Sequence, residues 1–109
     1  MKLSIIILNY NVTQWLRNCL LSIEEHVHNI DYEVIVIDNQ SPDSSWKDLI
    51  MEFPTVNFIE NSSNEGFAKA NNKAVKTAKG EYILLLNPDT ELEGNYMSEI
   101  LDFADAQEN

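Results

Sequence analysis

The chain has 109 residues, which is enough for one domain with one core and too few for two. Its hydrophobic fraction of 44% and charged fraction of 23% are those of an ordinary globular protein. Eighteen acidic residues against seven basic ones give a net charge of −11, which excludes nucleic acid and anionic membrane surfaces as partners unless a basic patch exists.

The sequence also indicates a cellular location. No apolar run approaches the roughly 20 residues of a membrane helix. A single Lys2 precedes the first strand-like run, which is not the pattern of a secretory signal. The single Cys19 excludes an internal disulfide and is typical of a reducing compartment. We therefore expect a cytoplasmic protein, or one that is peripheral to the membrane in a full-length form.

The first half of the chain alternates strand and helix patterns. Residues 3–8 (LSIIIL) are a continuous apolar run, typical of a strand buried on both faces. A helix follows, whose predicted inward residues are Val12, Trp15, Leu16, Cys19, Leu20, Ile23 and Val27. Residues 34–37 (VIVI) predict a second strand and residues 38–43 a turn. The second helix is predicted to have a Ser45/Asp48 capping box, a stop at Pro54 and the inward residues Trp46, Leu49, Ile50 and Phe53.

The second half continues this alternation. Residues 56–59 predict a third strand, and a polar loop covers residues 60–65. A third helix over residues 66–78 is expected to end at Gly80 as a left-handed C-cap. Residues 82–86 predict a fourth strand, before a last helix with the inward residues Met97, Ile100, Leu101 and Ala104. The order βαβαβαβα predicts a three-layer α/β/α domain around a mostly parallel sheet.

The ends of the predicted strands carry the candidate functional residues. In open α/β sheets, ligands bind beyond the carboxyl ends of the strands, where this chain has the polar segments 9–11, 38–39, 61–66 and 87–89. Turn formation explains each segment separately, but all four together favour a site. In residues 83–91 (ILLLNPDTE), an aliphatic strand runs directly into an amide, a proline and a carboxylate. A turn explains the proline but not the carboxylate.

Several other functions are excluded by missing motifs. There is no G-x-G-x-x-G after the first strand and no phosphate-binding P-loop. A receiver domain would need acidic residues after the first strand, and residues 9–11 supply none. His26 and His28 have no neighbouring ligand candidates in the sequence, so we expect solvated histidines rather than a metal pair. A solvated helix face is predicted for Lys69, Lys73 and Lys76.

Asn71 is predicted to be buried. It lies within the apolar arc of the third helix, where an amide without hydrogen-bond partners would cost about 1–3 kcal/mol. Two explanations are open: Asn71 holds the backbone of a neighbouring strand, or it binds a ligand. Asn72 lies on the flank of the same arc and is a second candidate anchor.

Three segments of the chain resemble a known family: LSIIILNYN, YEVIVIDNQSPDSS and NSSNEGFAKANNKAVKTAKGEYILLLNPDTELE. They are similar to the N-terminal, nucleotide-binding half of family-2 glycosyltransferases with the GT-A fold. The resemblance covers essentially the whole chain and is strongest over residues 64–93. It implies a sheet in the order 3-2-1-4, with transfer of a sugar from a nucleoside diphosphate to a saccharide or lipid-linked acceptor. The transfer would invert the anomeric carbon, with Mg²⁺ or Mn²⁺ as cofactor.

The resemblance also implies roles for individual residues. The nucleotide-binding residues would be Tyr10, Asn11, Asp38, Asn39, Gly66, Asn71, Asn72 and Asn87. Asp89 stands where the family carries its D-x-D metal motif, and Pro88 would fix the turn so that Asp89 faces the ligand. A divalent cation between Asp89 and the pyrophosphate would remove the repulsion between an acidic chain and an anionic donor. It would also stabilise the leaving diphosphate as a Lewis acid.

Four positions depart from the commoner family pattern. Asn39 replaces an acid, Asn71 an arginine, Ala74 a glycine and Asn87 the first aspartate of the metal motif. These departures resemble the N-P-D subgroup, which includes rhamnosyltransferase-like enzymes of bacterial surface polysaccharide synthesis. The resemblance therefore implies a UDP- or dTDP-sugar as donor.

The end of the chain leads to a further expectation. The second half of the family binds the acceptor and supplies the catalytic base, and nothing up to Asn109 corresponds to it. We therefore expect residues 1–109 to be a truncated donor-binding part without turnover, and an uncovered fourth strand to cause self-association. Two alternatives are a stand-alone nucleotide-binding or regulatory module of the same fold and a related nucleotidyltransferase. The latter would carry a basic, glycine-rich loop that residues 9–11 lack.

Overall fold

The computed structural model describes residues 1–107. The elements in chain order are β1 (Leu3–Asn9), α1 (Thr13–His26), β2 (Tyr32–Asp38), a 3-10 turn (Ser44–Lys47) that runs into α2 (Asp48–Glu52), β3 (Asn57–Glu60), α3 (Phe67–Val75), β4 (Tyr82–Leu86) and α4 (Met97–Gln107). Within these residues, every helix falls short of the length and apolar character that crossing a membrane requires.

The four strands form one parallel sheet in the order β3-β2-β1-β4. This confirms the three-layer α/β architecture and the predicted strand order. The register pairs Asn9 with Asp38, Asp38 with Glu60, and Ile7 with Leu86. The carboxyl ends of all four strands therefore meet at one edge of the sheet.

The core has two unequal halves. On one face, the sheet packs against α1, α2 and α4 through a large cluster that includes Ile5, Ile7, Leu16, Leu20, Ile23, Val36, Phe53 and Leu101. On the other face, the small residues Ala70 and Ala74 of α3 pack on Ile6, Ile35 and Ile37 of β1 and β2, with Val75 partly buried beside them. Because α3 packs on β1 and β2, the β4 side chains that point to this face stay exposed: Ile83, and Leu85 with 51% exposure.

The prediction that Gly80 ends α3 as a left-handed C-cap is wrong. Helix α3 ends at Val75, and its cap Lys76 is right-handed with φ −63°. Among the glycines that the structure describes, Gly66 has the positive φ. A Cβ on Gly80 would lie 2.4 Å from the backbone nitrogen of Ser4. A glycine is needed at this position because the chain passes directly over β1.

Two local predictions for the helices are wrong. The side chain of Asp43, rather than a Ser45/Asp48 box, caps the 3-10 turn by accepting from Ser45 N at 2.9 Å. Trp15, Ile50 and Ile100 were predicted to face inward but are half exposed. In α1, residues at the spacing of Leu16, Leu20 and Ile23 already cover the sheet. Trp15 therefore lies to the side of that stripe.

A polar cluster binds α4 to the side of the sheet where the strands begin. Asp105 accepts hydrogen bonds from Lys2 Nζ at 2.5 Å and from the Tyr82 hydroxyl at 2.8 Å. These two bonds hold the pKa of Asp105 below its usual value. The cluster lies at the amino ends of β1 and β4, away from the edge where the candidate functional residues gather.

Candidate nucleotide and metal site

The candidate site is the sheet edge formed by the carboxyl ends of the strands. Strands β1 and β4 are neighbours, so the segments that carry Tyr10 and Asp89 follow adjacent strands, as the site prediction requires. Tyr10 is exposed, but the cavity at Asp89 is lined by Val12 and Trp15 of the α1 region instead. Asn11 has a positive φ of 57°, and its backbone N–H donates to Ser41 Oγ at 2.8 Å.

Asp38 is buried and fully engaged within the protein. Its Oδ1 accepts from Asn9 Nδ2 at 2.9 Å and from Ser41 Oγ at 2.5 Å, and its Oδ2 accepts from Ser41 N at 2.9 Å. The carboxylate therefore ties β1 to the loop after β2. Sequence reasoning gave Asn9 no role of its own. The available signal was an amide at the end of a strand buried on both faces, in register with an aspartate.

Asn39 is the centre of a second set of hydrogen bonds. Its Oδ1 accepts from Asn61 Nδ2 at 3.2 Å and from Glu65 N at 3.0 Å. Its Nδ2 donates to Asn64 Oδ1 at 2.9 Å. Asn39 thus shapes the loop between β3 and α3. Asp38 and Asn39, two of the predicted nucleotide-binding residues, are thus both used to build this edge of the sheet.

The start of α3 depends on Gly66. This residue has φ 84° and ψ 166°, a conformation that is essentially restricted to glycine, although open space surrounds the position of a Cβ. Lys73 of the same helix donates to Asn61 Oδ1 at 3.1 Å and to Glu65 Oε1 at 2.5 Å, which lowers the pKa of Glu65. Lys69, Lys73 and Lys76 are all exposed, as the predicted solvated face requires, and Lys73 in addition pairs with Asn61 and Glu65. Asn72, the second candidate anchor, is exposed.

Asn71 is buried, with 5% exposure, and its Nδ2 has no hydrogen-bond partner within residues 1–107. It lines a cavity of about 150 Å³ together with Ile6, Leu8, Phe67, Leu85, Leu86, Asn87 and Pro88. The first explanation for this amide was that it holds the backbone of a neighbouring strand. Among the described residues, the structure shows no such bond from its Nδ2. The Asn71 Nδ2 group is a donor that the protein leaves available at the end of β4.

The segment after β4 forms a turn that presents Asp89. Thr90 N donates to the carbonyl oxygen of Asn87 at 3.0 Å, which places Pro88 at the second position of a β-turn, where its fixed φ is favourable. Asp89 is exposed and lines a cavity of about 510 Å³ with Val12, Trp15, Asn87 and Pro88. A further cavity of about 490 Å³ shares Val12 and Trp15 and extends past Asn11 to Asp43 and Ser45.

The electrostatic field at this turn is negative. Cys19 lies beneath it, with Sγ 4.0 Å from the carbonyl oxygen of Asn87. Burial, and then the charges of Asp89 and Glu91, raise the pKa of the Cys19 thiol to about 11. Among the described residues that line these cavities, none is basic. An anionic ligand would need a cation to bind here.

The donor set fits a divalent metal that is shared with a ligand. Within residues 1–107, no three His, Cys, Asp or Glu side chains converge to form a metal site by themselves. Asp89 provides one exposed carboxylate, and Mg²⁺ is commonly held by one or two carboxylates together with substrate phosphates and water. Asp89 could therefore hold Mg²⁺ or Mn²⁺ jointly with a diphosphate, but not as a closed protein cage.

The sheet order and the acidic turn after β4 define a three-layer fold of the GT-A type. The sequence profile of Glycosyl transferase family 2 matches residues 4–109, so the chain belongs to this family. A poly(ribitol-phosphate) beta-glucosyltransferase of Bacillus spizizenii is 39% identical over 94 residues, which cover 82% of this chain and 15% of that protein.

Two solved structures are similar to the chain as well. Residues 1–349 of S. aureus TarS, in complex with UDP, have a TM-score of 0.86 at 23% identity over 99% of this chain and 33% of that one, which shows the shared fold. The mannosyltransferase PcManGT of Pyrobaculum calidifontis, in complex with GDP-Man and Mn²⁺, has a TM-score of 0.77 at 25% identity over 87% of this chain and 29% of that one. The chain spans a third or less of the length of each of these three proteins.

Proposed function

We propose that the chain is the donor-binding part of a glycosyltransferase that transfers a sugar from a UDP- or dTDP-sugar to an acceptor. The observation that carries this proposal is the exposed carboxylate of Asp89 in a proline-fixed turn, whose residues Asn87 and Pro88 also line the cavity of the unpartnered Asn71 donor. Family membership supports the class of reaction. A relative named for poly(ribitol-phosphate) and a neighbour bound to UDP support a uridine donor and an acceptor of the bacterial cell surface, saccharide or lipid-linked.

The nucleotide would occupy the edge between β1, β4 and the start of α3. Tyr10 and Asn11 would line the nucleoside pocket, while Asp38 and Asn39 fix its floor through their internal hydrogen bonds. The remaining contacts would come from four residues around the 150 Å³ cavity and its rim: Gly66, Asn71, Asn72 and Asn87. This arrangement supports the N-P-D subgroup, since an uncharged Asn87 leaves Asp89 as the single carboxylate of the turn.

Asp89 would hold Mg²⁺ or Mn²⁺ against the diphosphate of the donor. When bound, the cation would neutralise the charge that develops on the leaving diphosphate. Pro88 orients the carboxylate, and Asn71 Nδ2 would donate a hydrogen bond to the nucleotide. Inversion requires a general base that deprotonates the acceptor. We place that base beyond Asn109, so the 109-residue chain would bind donor without turnover, and the full-length protein would work in the cytoplasm or at the inner membrane surface.

Titration calorimetry with UDP and dTDP tests the metal assignment. We expect binding in Mg²⁺ or Mn²⁺ and at least tenfold weaker binding in chelator, because the acidic edge repels a bare diphosphate. Asp89→Ala should remove the dependence on the cation and leave the melting temperature unchanged. Asp102→Ala, which removes an exposed charge on α4, is the matched control and should bind as the wild type does. Equal affinity for the nucleotide with and without cation would mean that residues 87–90 are a turn without a metal-binding role. It would favour the alternative of a stand-alone nucleotide-binding module.

We also propose that the chain associates with itself through β4. This strand is at the end of the sheet and exposes Ile83 and Leu85 on the face that α3 leaves open. Uncovered apolar edges commonly pair with other chains. Sedimentation at increasing concentration should show dimers or larger species, and Leu85→Lys should shift them to monomer. A clean monomer at high concentration would contradict the proposal.

A further inference from the structure

We propose that Trp15 is a stacking platform for a neutral sugar ring beside Asp89. This inference rests on the proposed function, because it names the part of the ligand that lies next to the metal-binding carboxylate. The candidate is the donor's transferred sugar or a saccharide unit of the acceptor, which share the same ring chemistry.

The position of Trp15 is unusual for a tryptophan in a packed helix. Its side chain is 54% exposed, whereas Trp46, the other tryptophan, is 3% exposed. Trp15 lies in the first turn of α1, so its backbone is part of a regular helix that packs against the sheet. The exposed indole is therefore held in place by a rigid element, as a binding platform requires.

Trp15 and Val12 lie at the junction of two cavities. One, of about 510 Å³, contains Asp89, and the other, of about 490 Å³, contains Asp43 and Ser45. Ligand pockets are typically about 300–1,000 Å³ and combine apolar walls with a few polar groups. Here the apolar walls are Trp15, Val12 and Pro88, and the polar groups are carboxylate, amide and hydroxyl. The junction thus has the size and the lining of a small-molecule site.

The charge around Trp15 selects the class of ligand. Asp89 and Asp43 face the two cavities, and none of their described lining residues is basic. Phosphate or carboxylate groups would be repelled away from the metal, whereas a neutral ring with hydroxyl donors would be accepted. The C–H face of a pyranose carries partial positive charge and meets the negative face of an indole. Hydroxyls around the ring can donate to carboxylate and amide oxygens, which makes a neutral sugar the best match.

Acrylamide quenching of tryptophan fluorescence tests this assignment directly, because the buried Trp46 serves as an internal reference. The probes are UDP, UDP-glucose and maltotriose, each in Mg²⁺. We expect UDP-glucose to protect the exposed tryptophan several-fold more than UDP does. Protection by maltotriose instead would assign the platform to the acceptor. Equal protection by UDP and UDP-glucose would overturn the proposal, and so would no protection by UDP-glucose or maltotriose.

Variants separate this inference from the proposed function. Trp15→Ala should weaken UDP-glucose roughly tenfold, the effect of losing one aromatic contact, and leave the affinity for UDP unchanged. Trp15→Phe should restore part of the loss, and Phe103→Ala, an exposed aromatic on α4, should have no effect. Equal losses for UDP and UDP-glucose would overturn the sugar assignment. Failure of the wild type to bind UDP would refute the proposed function instead. Protection that rises with protein concentration alone would show that a second chain covers Trp15, which also overturns the sugar assignment.

Discussion

The two sides of the candidate site use their polar side chains in opposite ways. At the end of β2, Asp38 and Asn39 are buried, and each makes three hydrogen bonds inside the protein. At the end of β4, Asp89 is exposed, and Asn71 Nδ2 lacks a partner among the described residues. The first region builds the shape of the edge, and the second provides the groups with which a ligand can interact.

This difference has a physical cause. A buried carboxylate is tolerated when hydrogen bonds compensate for its desolvation, so the Asp38 carboxylate needs no ligand. A buried amide donor without a partner costs free energy that a ligand can recover. Functional positions are often less stable than the fold would allow. The comparison therefore predicts opposite stability effects for substitutions in the two regions.

The largest effect is expected for Asp38→Ala. The substitution leaves Asn9 Nδ2 and two Ser41 donors without acceptors, which should cost about 3 kcal/mol in the free energy of unfolding. Urea unfolding measures this loss. Asp43→Ala is the matched control: it removes a cap at an exposed position and should cost about 1 kcal/mol. Equal stability of Asp38→Ala and wild type would show that Asp38 is kept for a ligand and not for the fold.

A smaller effect of opposite sign is expected for Asn71→Leu. Leucine has a similar size and no polar group, so it should remove the cost of the unpartnered Nδ2 and raise the free energy of unfolding by about 1 kcal/mol. The same substitution should weaken UDP binding in calorimetry. Asn72→Leu, at an exposed position on the same helix, should change stability by less than about 0.5 kcal/mol. A lower stability of Asn71→Leu would mean that the amide supports the fold, contrary to this comparison.

The fold was largely predictable because its signals are local. Isoleucine-rich runs, helical spacing and the alternation of elements gave every strand and helix and, with the resemblance, the order 3-2-1-4. Gly80 was misinterpreted because its cause is a contact with Ser4, which is 76 positions away in the chain. Helical periodicity also predicted that Trp15 faces inward, but Trp15 is half exposed. Periodicity does not show how much of the helix surface the sheet can cover.

The candidate site was predictable as a set of segments, but not in the use of each side chain. Parallel strands in register bring residues 9–11, 38–39 and 87–89 to one edge, which the sequence indicates. The sequence does not show that Asp38 is saturated by Asn9 and Ser41 while Asn71 keeps a free donor. Such pairings depend on differences of a few tenths of an ångström in the separation of elements that are remote in the chain.

The smallest predicted effect concerns the field of Asp89 at Cys19. Burial raises the pKa of this thiol to about 11, and the charges of Asp89 and Glu91 add to the shift. A raised pKa means that the folded chain holds the proton more tightly than the unfolded chain, whose thiol titrates near 9.0. This contribution to stability is therefore complete below pH 9 and is lost as the pH rises towards 11.

Replacing Asp89 by Asn removes one of the two charges, so the pKa of Cys19 should fall by a fraction of a unit while burial keeps it above the ordinary value. The ¹³Cβ shift of the one cysteine, followed against pH with circular dichroism as a check on folding, reports this titration in the native state. Asp43→Asn is the control, because Asp43 is not among the groups that shift the Cys19 pKa. The β4 end differs from the β2 end in having an uncompensated carboxylate. A cation bound there should act as Asp89→Asn does, so Mg²⁺ with UDP should also lower the Cys19 pKa of the wild type. An unchanged pKa in both experiments would mean that the charge of Asp89 does not reach beneath the turn and that the cation binds elsewhere.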